Sequence, residues 1–467
     1  MKFDLMRRRF ALSLAAVALL ASCTGLLQGR DRDHPPIVFV PGNCDSAALW
    51  QTTLWRFESN GWPHDRLFAI DLPYPCERDA DDKVQEGRTS STEHMQFLAA
   101  EVDRVLLATG ARKIVLMGNS RGGYAIRNYI RYGGGADKVS RAILGATPNH
   151  GFFASAEAIG PLQPTRESNG LGPLLIRLNT PQGPNGEEVT PGVKWMTIRS
   201  DTNDWAAQPT WLFGPRKGQP TGVGYDSPEL KGAENTVLPG IDHMEASFGP
   251  LAFAQAFRFV TGRAPATTAP TPRSNVALSG KVFGLGVDNH PESGHRENNL
   301  PLVGATVEIF RVDPQNGERI GAALLQQTIG RDGRWGPLTT DSRAALEFVI
   351  TAPEYAVTHI YRSPFPRSSQ IVHLQARVFD KDEPKSDAKI VMVRPRGFLC
   401  APRDAMSFDG RSPPPGIEPG VALKNASVLR LTGSDPRPIT ADFNGERVTG
   451  HTWPTHENRL VVLELTY

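Results

Sequence analysis

Lys113-Ile114-Val115-Leu116-Met117-Gly118-Asn119-Ser120-Arg121-Gly122-Gly123-Tyr124 is the stretch that decides the fold. Residues 113–117 form a short apolar and β-branched run, as expected of a strand buried on both faces. Gly118-Asn119-Ser120-Arg121-Gly122 then fits Gly-x-Ser-x-Gly, and residues 124–131 continue as a helix. A serine on so tight a strand-to-helix turn projects its hydroxyl away from the backbone, and the flanking glycines leave room for the turn. In a chain with 45 glycines the pentapeptide alone decides little. The strand before it and the helix after it make the arrangement specific.

Outward from this turn, strand and helix signals alternate. Strand-like runs occur at Ile37–Val40 and at residues 67–71, 141–144, 194–198 and 236–238. A helix is expected over 93–107, where Phe97, Leu98, Val102, Val105 and Leu106 recur at helical spacing; Ser90 and Glu93 offer a capping box and Gly110 a stop. A second is expected over 245–260, with Leu251, Phe253, Ala254, Phe257 and Val260 as its apolar positions. Residues 34–262 therefore read as an α/β domain around a mostly parallel sheet. Two Gly/Pro-rich stretches, 151–192 and 205–232, interrupt the pattern. Loops of that length inside a compact domain are usually functional, and these carry Phe152, Phe153, Leu174, Leu175, Trp205, Trp211, Leu212 and Phe213.

Residues 263–274 read as a proline- and threonine-rich linker. Beyond it the pattern changes to all-β, with strand-like runs at 276–282, 305–311, 345–350, 371–378, 388–393, 427–432 and 459–465 between Gly- and Pro-rich turns. Residues 304–309 followed by Gly330-Arg331-Asp332-Gly333-Arg334-Trp335 resemble transthyretin-like β-sandwich modules. The β-rich region 275–467 is one domain, or 275–380 plus a smaller unit at 385–467. Its turns hold part of the proline excess, 39 residues against the 20-odd of average usage at about 5%.

Charge excludes one class of partner. Lys+Arg 51 against Asp+Glu 49 gives a net charge of +2, which offers no footprint for nucleic acid. No apolar run reaches the ~18–20 residues of a membrane-spanning helix. The N-terminus reads as an address: Arg7, Arg8 and Arg9, an apolar stretch over 10–20, then Leu20-Ala21-Ser22-Cys23. That ending resembles the lipobox of bacterial lipoproteins, and Arg7, Arg8, Phe10 and Leu12 resemble a twin-arginine signal. Residues 1–23 are thus expected to be a signal peptide. The mature chain would begin near Cys23, as a periplasmic or outer-membrane lipoprotein or as a secreted protein. Its contact with a membrane would be only through a lipid at Cys23. Disulfides persist in such compartments. Cys44 and Cys76 each follow a strand of the parallel sheet, so they are expected at the same sheet edge and to pair, leaving Cys400 free.

The serine turn needs a base, an acid and two donors. Chain order after the serine is acid, then histidine. Between Ser120 and the linker only His150 and His243 are available. His150 follows the next strand with no strand left to supply the acid, whereas His243 follows the last strand and precedes the final helix. The acid should leave the strand at 194–198, where Asp201 and Asp204 both qualify and the loop register favours Asp204. The backbone N–H of Arg121 and that of Asn43, in the loop after the first strand, are the expected oxyanion donors.

Residues 36–261 resemble α/β-hydrolase lipases and esterases, the small bacterial lipases in particular. The resemblance rests on residues 36–42, the serine turn, Ile198-x-Ser200 with Asp204 and His243, residues 146–151 and Leu178-Asn179-Thr180-Pro181. Two features depart from the pattern: Pro41-Gly42 replaces the usual His-Gly, and Asn119 and Arg121 flank the serine. The resemblance implies an exported serine ester hydrolase acting on a small or polymeric hydrophobic acyl ester. No cofactor is expected, and no metal cluster of convincing spacing occurs in the sequence, with Ca²⁺ binding by isolated carboxylates left open. A polyester depolymerase, and a non-catalytic binding protein on the same fold, are the alternatives.

Overall fold

The computed structural model describes residues 34–155, 164–284, 298–379, 384–433 and 435–467. The expected signal peptide and Cys23 lie outside them. Strands β1 (Ile37–Val40), β2 (Leu67–Ala69), β3 (Ile114–Asn119), β4 (Val139–Gly145), β5 (Lys194–Ser200) and β6 (Glu234–Leu238) form one sheet in the order β2-β1-β3-β4-β5-β6. Every pairing in it is parallel. The helices are α1 (Gln51–Ser59), α2 (Ser91–Thr109), α3 (Arg121–Tyr132), α4 (Pro173–Leu178), α5 (Glu245–Phe248) and α6 (Pro250–Thr261).

Strand alternation sends successive side chains to opposite faces. Ile37, Phe39, Val115, Met117 and Ile143 pack with Leu54 and Phe57 of α1 and Phe253 and Phe257 of α6. Val38, Val40, Ile114, Leu116 and Leu144 pack with Leu98 and Val102 of α2 and Ile126 and Tyr129 of α3. Both faces are covered, as an all-parallel sheet requires. The Ser90–Glu93 capping box is formed, and Gly110 ends α2 in the left-handed conformation.

The expected continuous helix over 245–260 is two helices. Gly249 is extended (φ −60°, ψ 154°) because Pro250 disfavours the helical conformation in the residue before it. Of 371–378 only Leu374–Ala376 is a strand.

The remaining strands are β7 (Asn275–Gly284), β8 (Thr306–Val312), β9 (Leu325–Thr328), β10 (Arg334–Asp341), β11 (Ala345–Thr351), β12 (Val357–Arg362), β13 (Leu374–Ala376), β14 (Ala388–Val393), β15 (Met406–Phe408), β16 (Ala426–Leu431), β17 (Pro438–Phe443), β18 (Glu446–His451) and β19 (Arg459–Glu464). A seven-stranded sheet, β16-β14-β19-β12-β11-β8-β9, lies between two three-stranded sheets, β10-β7-β13 and β15-β17-β18. One core holds Leu278, Trp335, Phe348, Ile350 and Val462, and the other Ile390, Phe408, Ala441 and Val461. Because β19 pairs in parallel with both β12 and β14, the two stretches of the β region share one sheet.

The β region docks firmly on the α/β domain. Trp55 of α1 is buried in the β core, with its Nε1 donating to Ser368 O at 2.8 Å. Arg367 pairs with Glu58 at 3.0 Å and Lys281 with Asp71 at 2.7 Å. The linker lies against the end of α1, where Ala266 N donates to Asn60 Oδ1 and Arg56 Nε to Thr268 O, each at 2.7 Å. No helix among the described residues is long and apolar enough to cross a membrane.

Candidate active site

The chain runs from β1 outward to β2 and then returns to β3 on the other side of β1. Such a reversal opens a crevice at the carboxyl ends of the strands. Ser120 and Asn43 follow β3 and β1 at that end. Ser120 has φ 48° and ψ −119°, a conformation costly for a non-glycine residue and held by its surroundings. The two glycines are sterically required. A Cβ on Gly122 would lie 2.5 Å from Val40 O, and one on Gly118 would lie 2.7 Å from Ile126 Cδ1. The turn is closed by Ser120 N donating to Gly145 O at 2.9 Å and Thr147 Oγ1 donating to Ser120 O at 3.0 Å.

His243 Nδ1 lies 2.7 Å from Asp204 Oδ1, and both side chains are buried. That oxygen also accepts from Ala206 N at 2.8 Å. Asp201 Oδ1 instead accepts from Gly240 N at 2.9 Å and Thr202 N at 2.7 Å, tying the loop after β5 to the loop after β6. His150 instead lies 3.1 Å from Glu188 Oε1, in a separate, open depression.

The Arg121 backbone N–H is the first of α3 and so has no partner within the helix. Its side chain points away and is buried. It donates to Pro75 O at 2.8 Å and Thr89 O at 2.6 Å, and contacts Glu167 at 2.8 and 3.0 Å. Burial pushes Glu167 up to about 7 despite the pull of Arg121. Asn43 Oδ1 accepts from Glu77 N at 2.7 Å. Next to Asn43, Cys44 and Cys76 form the expected disulfide, and Cys44 N donates to Pro75 O at 3.1 Å. The loop after β1 is thus fastened to the 75–77 segment, which Arg121 holds from below. Cys400 is free and buried.

Ser120, His243 and Asn43 all line one cavity of about 440 Å³. Its other walls are largely aromatic: Phe152, Phe153, Trp205, Trp211 and Phe213. Trp205 packs on His243 with ring centroids 5.2 Å apart, and Phe152, Phe213 and Trp211 continue the row at 5.4–5.9 Å. Leu174 and Leu175, from the same long loops, pack instead with Tyr124 and Leu178 in a small core of their own. Among the described residues no group of three His, Cys, Asp or Glu side chains is placed to hold a metal ion.

Three contributors had no functional signal in the sequence, Asn119 standing out only as a departure from the lipase pattern. Asn119 Nδ2 donates to Ser247 Oγ at 2.9 Å and His243 O at 3.3 Å, bracing the histidine loop from the serine turn. Glu167 is the partner of Arg121. Phe398, from the β region, closes one side of the cavity.

Comparison with known proteins agrees with this architecture. Residues 35–169 match the family model described as alpha/beta hydrolase fold, and residues 274–378 match the lipase C-terminal domain. The domain built around the parallel sheet has the α/β-hydrolase fold. The second match puts a lipase-type C-terminal domain at the start of the β region. Among solved structures it is similar to Bacillus licheniformis lipase BlEst2 in its propeptide form, at 17% identity and TM-score 0.36 over 91% of this chain and 94% of that one. The mature form matches at 20% and 0.35 over 50% and 94%. Aspergillus fumigatus lipase B matches at 17% and 0.34, the match covering 50% of this chain and 54% of that one.

Proposed function

We propose that the protein is an exported serine hydrolase that cleaves hydrophobic carboxylic esters through Ser120, His243 and Asp204. One observation carries this reading. A histidine oriented by a buried carboxylate at 2.7 Å faces the same aromatic-walled cavity as a serine on a strained strand-to-helix turn.

In this mechanism His243 Nε2 takes the Ser120 proton as Oγ attacks the ester carbonyl. The N–H groups of Arg121 and Asn43 stabilise the oxyanion that forms. His243 then gives its proton to the departing alkoxide, leaving an acyl-Ser120 and a free alcohol. Water, deprotonated by His243, attacks the acyl group; the Ser120–acyl bond breaks with the proton returning from His243 to Ser120 Oγ, and the carboxylic acid is released. Asp204 holds the imidazole tautomer and stabilises the imidazolium formed in each half. The aromatic row favours an apolar acyl chain. The disulfide beside the oxyanion loop accords with an oxidising compartment.

The test is Ser120→Ala assayed on p-nitrophenyl esters, with fluorophosphonate labelling of the unaltered protein. The variant is expected to fold, to lose turnover and to take no label. An unlabelled wild-type protein, or a variant that retains turnover, refutes the assignment.

A further inference from the structure

The loop that carries His243 is gripped from the β domain. Asp242, the residue before the histidine, is fully buried. Its Oδ1 accepts from Met244 N and Glu245 N, each at 2.9 Å, capping α5. Its Oδ2 accepts from Arg394 at 2.8 Å and Phe398 N at 2.9 Å, both beyond the linker. Arg394 also meets Glu245 Oε1 at 2.6 Å, while Arg403 meets Glu245 Oε2 at 2.7 Å and donates to Gly240 O at 2.9 Å. Arg394 is itself immobilised, with Nε donating to Tyr467 O at 2.9 Å and its guanidinium 4.5 Å from the Phe443 ring centroid. On the acid side, Asn203 precedes Asp204. It accepts from Ala422 N of the β domain and donates to Gly240 O, each at 3.0 Å.

Buried ion pairs are a poor way merely to hold two domains together, because desolvation consumes most of their attraction and an apolar contact serves as well. What directional bonds supply is register. Here the register fixed is that of the segment 240–245, with His243 inside it. We propose that Arg394 is a positioning residue for the reaction. Through Asp242 and Glu245 it sets the angle at which His243 addresses Ser120, so the base is in place only when the β domain is docked. The inference rests on the ester hydrolase reading above.

Arg394→Gln, Arg394→Lys, Asp242→Asn and the Arg394→Gln/Asp242→Asn pair test it in the full chain. The assay measures kcat and KM on a short p-nitrophenyl ester, together with the fluorophosphonate labelling rate of Ser120. Both are referred to folded protein measured by circular dichroism. A misplacement of about 1 Å costs on the order of a hundredfold, so Arg394→Gln is expected to lower kcat by about ten- to a hundredfold with KM unchanged. The labelling rate should fall in parallel. Arg394→Lys should recover part of the loss, and the double variant should be no worse than the poorer single one. A folded Arg394→Gln with wild-type kcat overturns the proposal, as do additive losses or a lysine variant no better than glutamine. If Arg394→Gln does not fold, Asp242→Asn decides, since it turns an amide toward Arg394 while keeping the helix cap; wild-type kcat there overturns the proposal. Failure of the hydrolase reading is distinct: the wild-type protein itself would neither label nor turn over.

Discussion

Arg121 and Glu167 form a pair without solvent contact beneath the serine turn, with side-chain exposures of 2% and 1%. Arg121 Nε lies 3.0 Å and a terminal nitrogen 2.8 Å from the same Glu167 oxygen. The pair joins the start of α3 to the long loop after β4, and Arg121 reaches on to Pro75, next to the disulfide.

A pH dependence follows from this burial. Glu167 holds its proton up to about 7 in the folded state, against an ordinary value of 4.5. Between those values the unfolded chain releases the proton first. Its contribution to stability is therefore complete at the acid end and is lost as pH rises toward 7, on the order of 3 kcal/mol over the interval. Urea unfolding from pH 4 to 8 should show this decline in the wild-type protein and a flatter profile in Glu167→Gln. Superimposable profiles would disprove it.

The two aspartates of the acid loop should separate cleanly. Asp204→Asn removes the carboxylate beside His243 and is expected to lower kcat by about 10³–10⁴. Asp201→Asn keeps an oxygen able to accept from Gly240 and Thr202, so its loss should be about tenfold or less, since its bonds are local loop bonds. Steady-state assays of both variants on one ester decide the matter, and a larger loss at Asp201 would reverse the assignment.

Chain-length preference should map onto the aromatic row. Trp211 lies toward the far end of the row from His243, through Phe213 and Trp205. Trp211→Ala is expected to reduce kcat/KM for octanoyl esters by roughly tenfold, while acetyl esters, too short to reach it, change little. Equal losses on both would place the acyl chain elsewhere.

The parallel sheet was legible because its strands are buried on both faces and read as plain apolar runs. The serine turn was legible because glycines are the only residues that fit there. The β domain was harder. Strand β9, Leu325-Gln326-Gln327-Thr328, is mostly polar and lies on a sheet edge, and β10 contains Gly336-Pro337 at a register shift. Neither resembles a buried strand. Leu174 and Leu175 could not be told from cavity residues, because both kinds are apolar residues in a Gly/Pro-rich loop. Arg394 and Phe398 were invisible for another reason: their partner, Asp242, lies more than 150 positions away. A pattern of neighbours along the chain carries no trace of such a contact.

Strand β19 has a consequence for how the molecule is made. Lying between β14 and β12, residues 459–464 are the keystone of the seven-stranded sheet. During synthesis the α/β domain emerges first, but the sheet behind Arg394 cannot close until residue 464 has left the ribosome. If Arg394 sets His243, the α/β domain stays silent, though already formed, until β19 is seated.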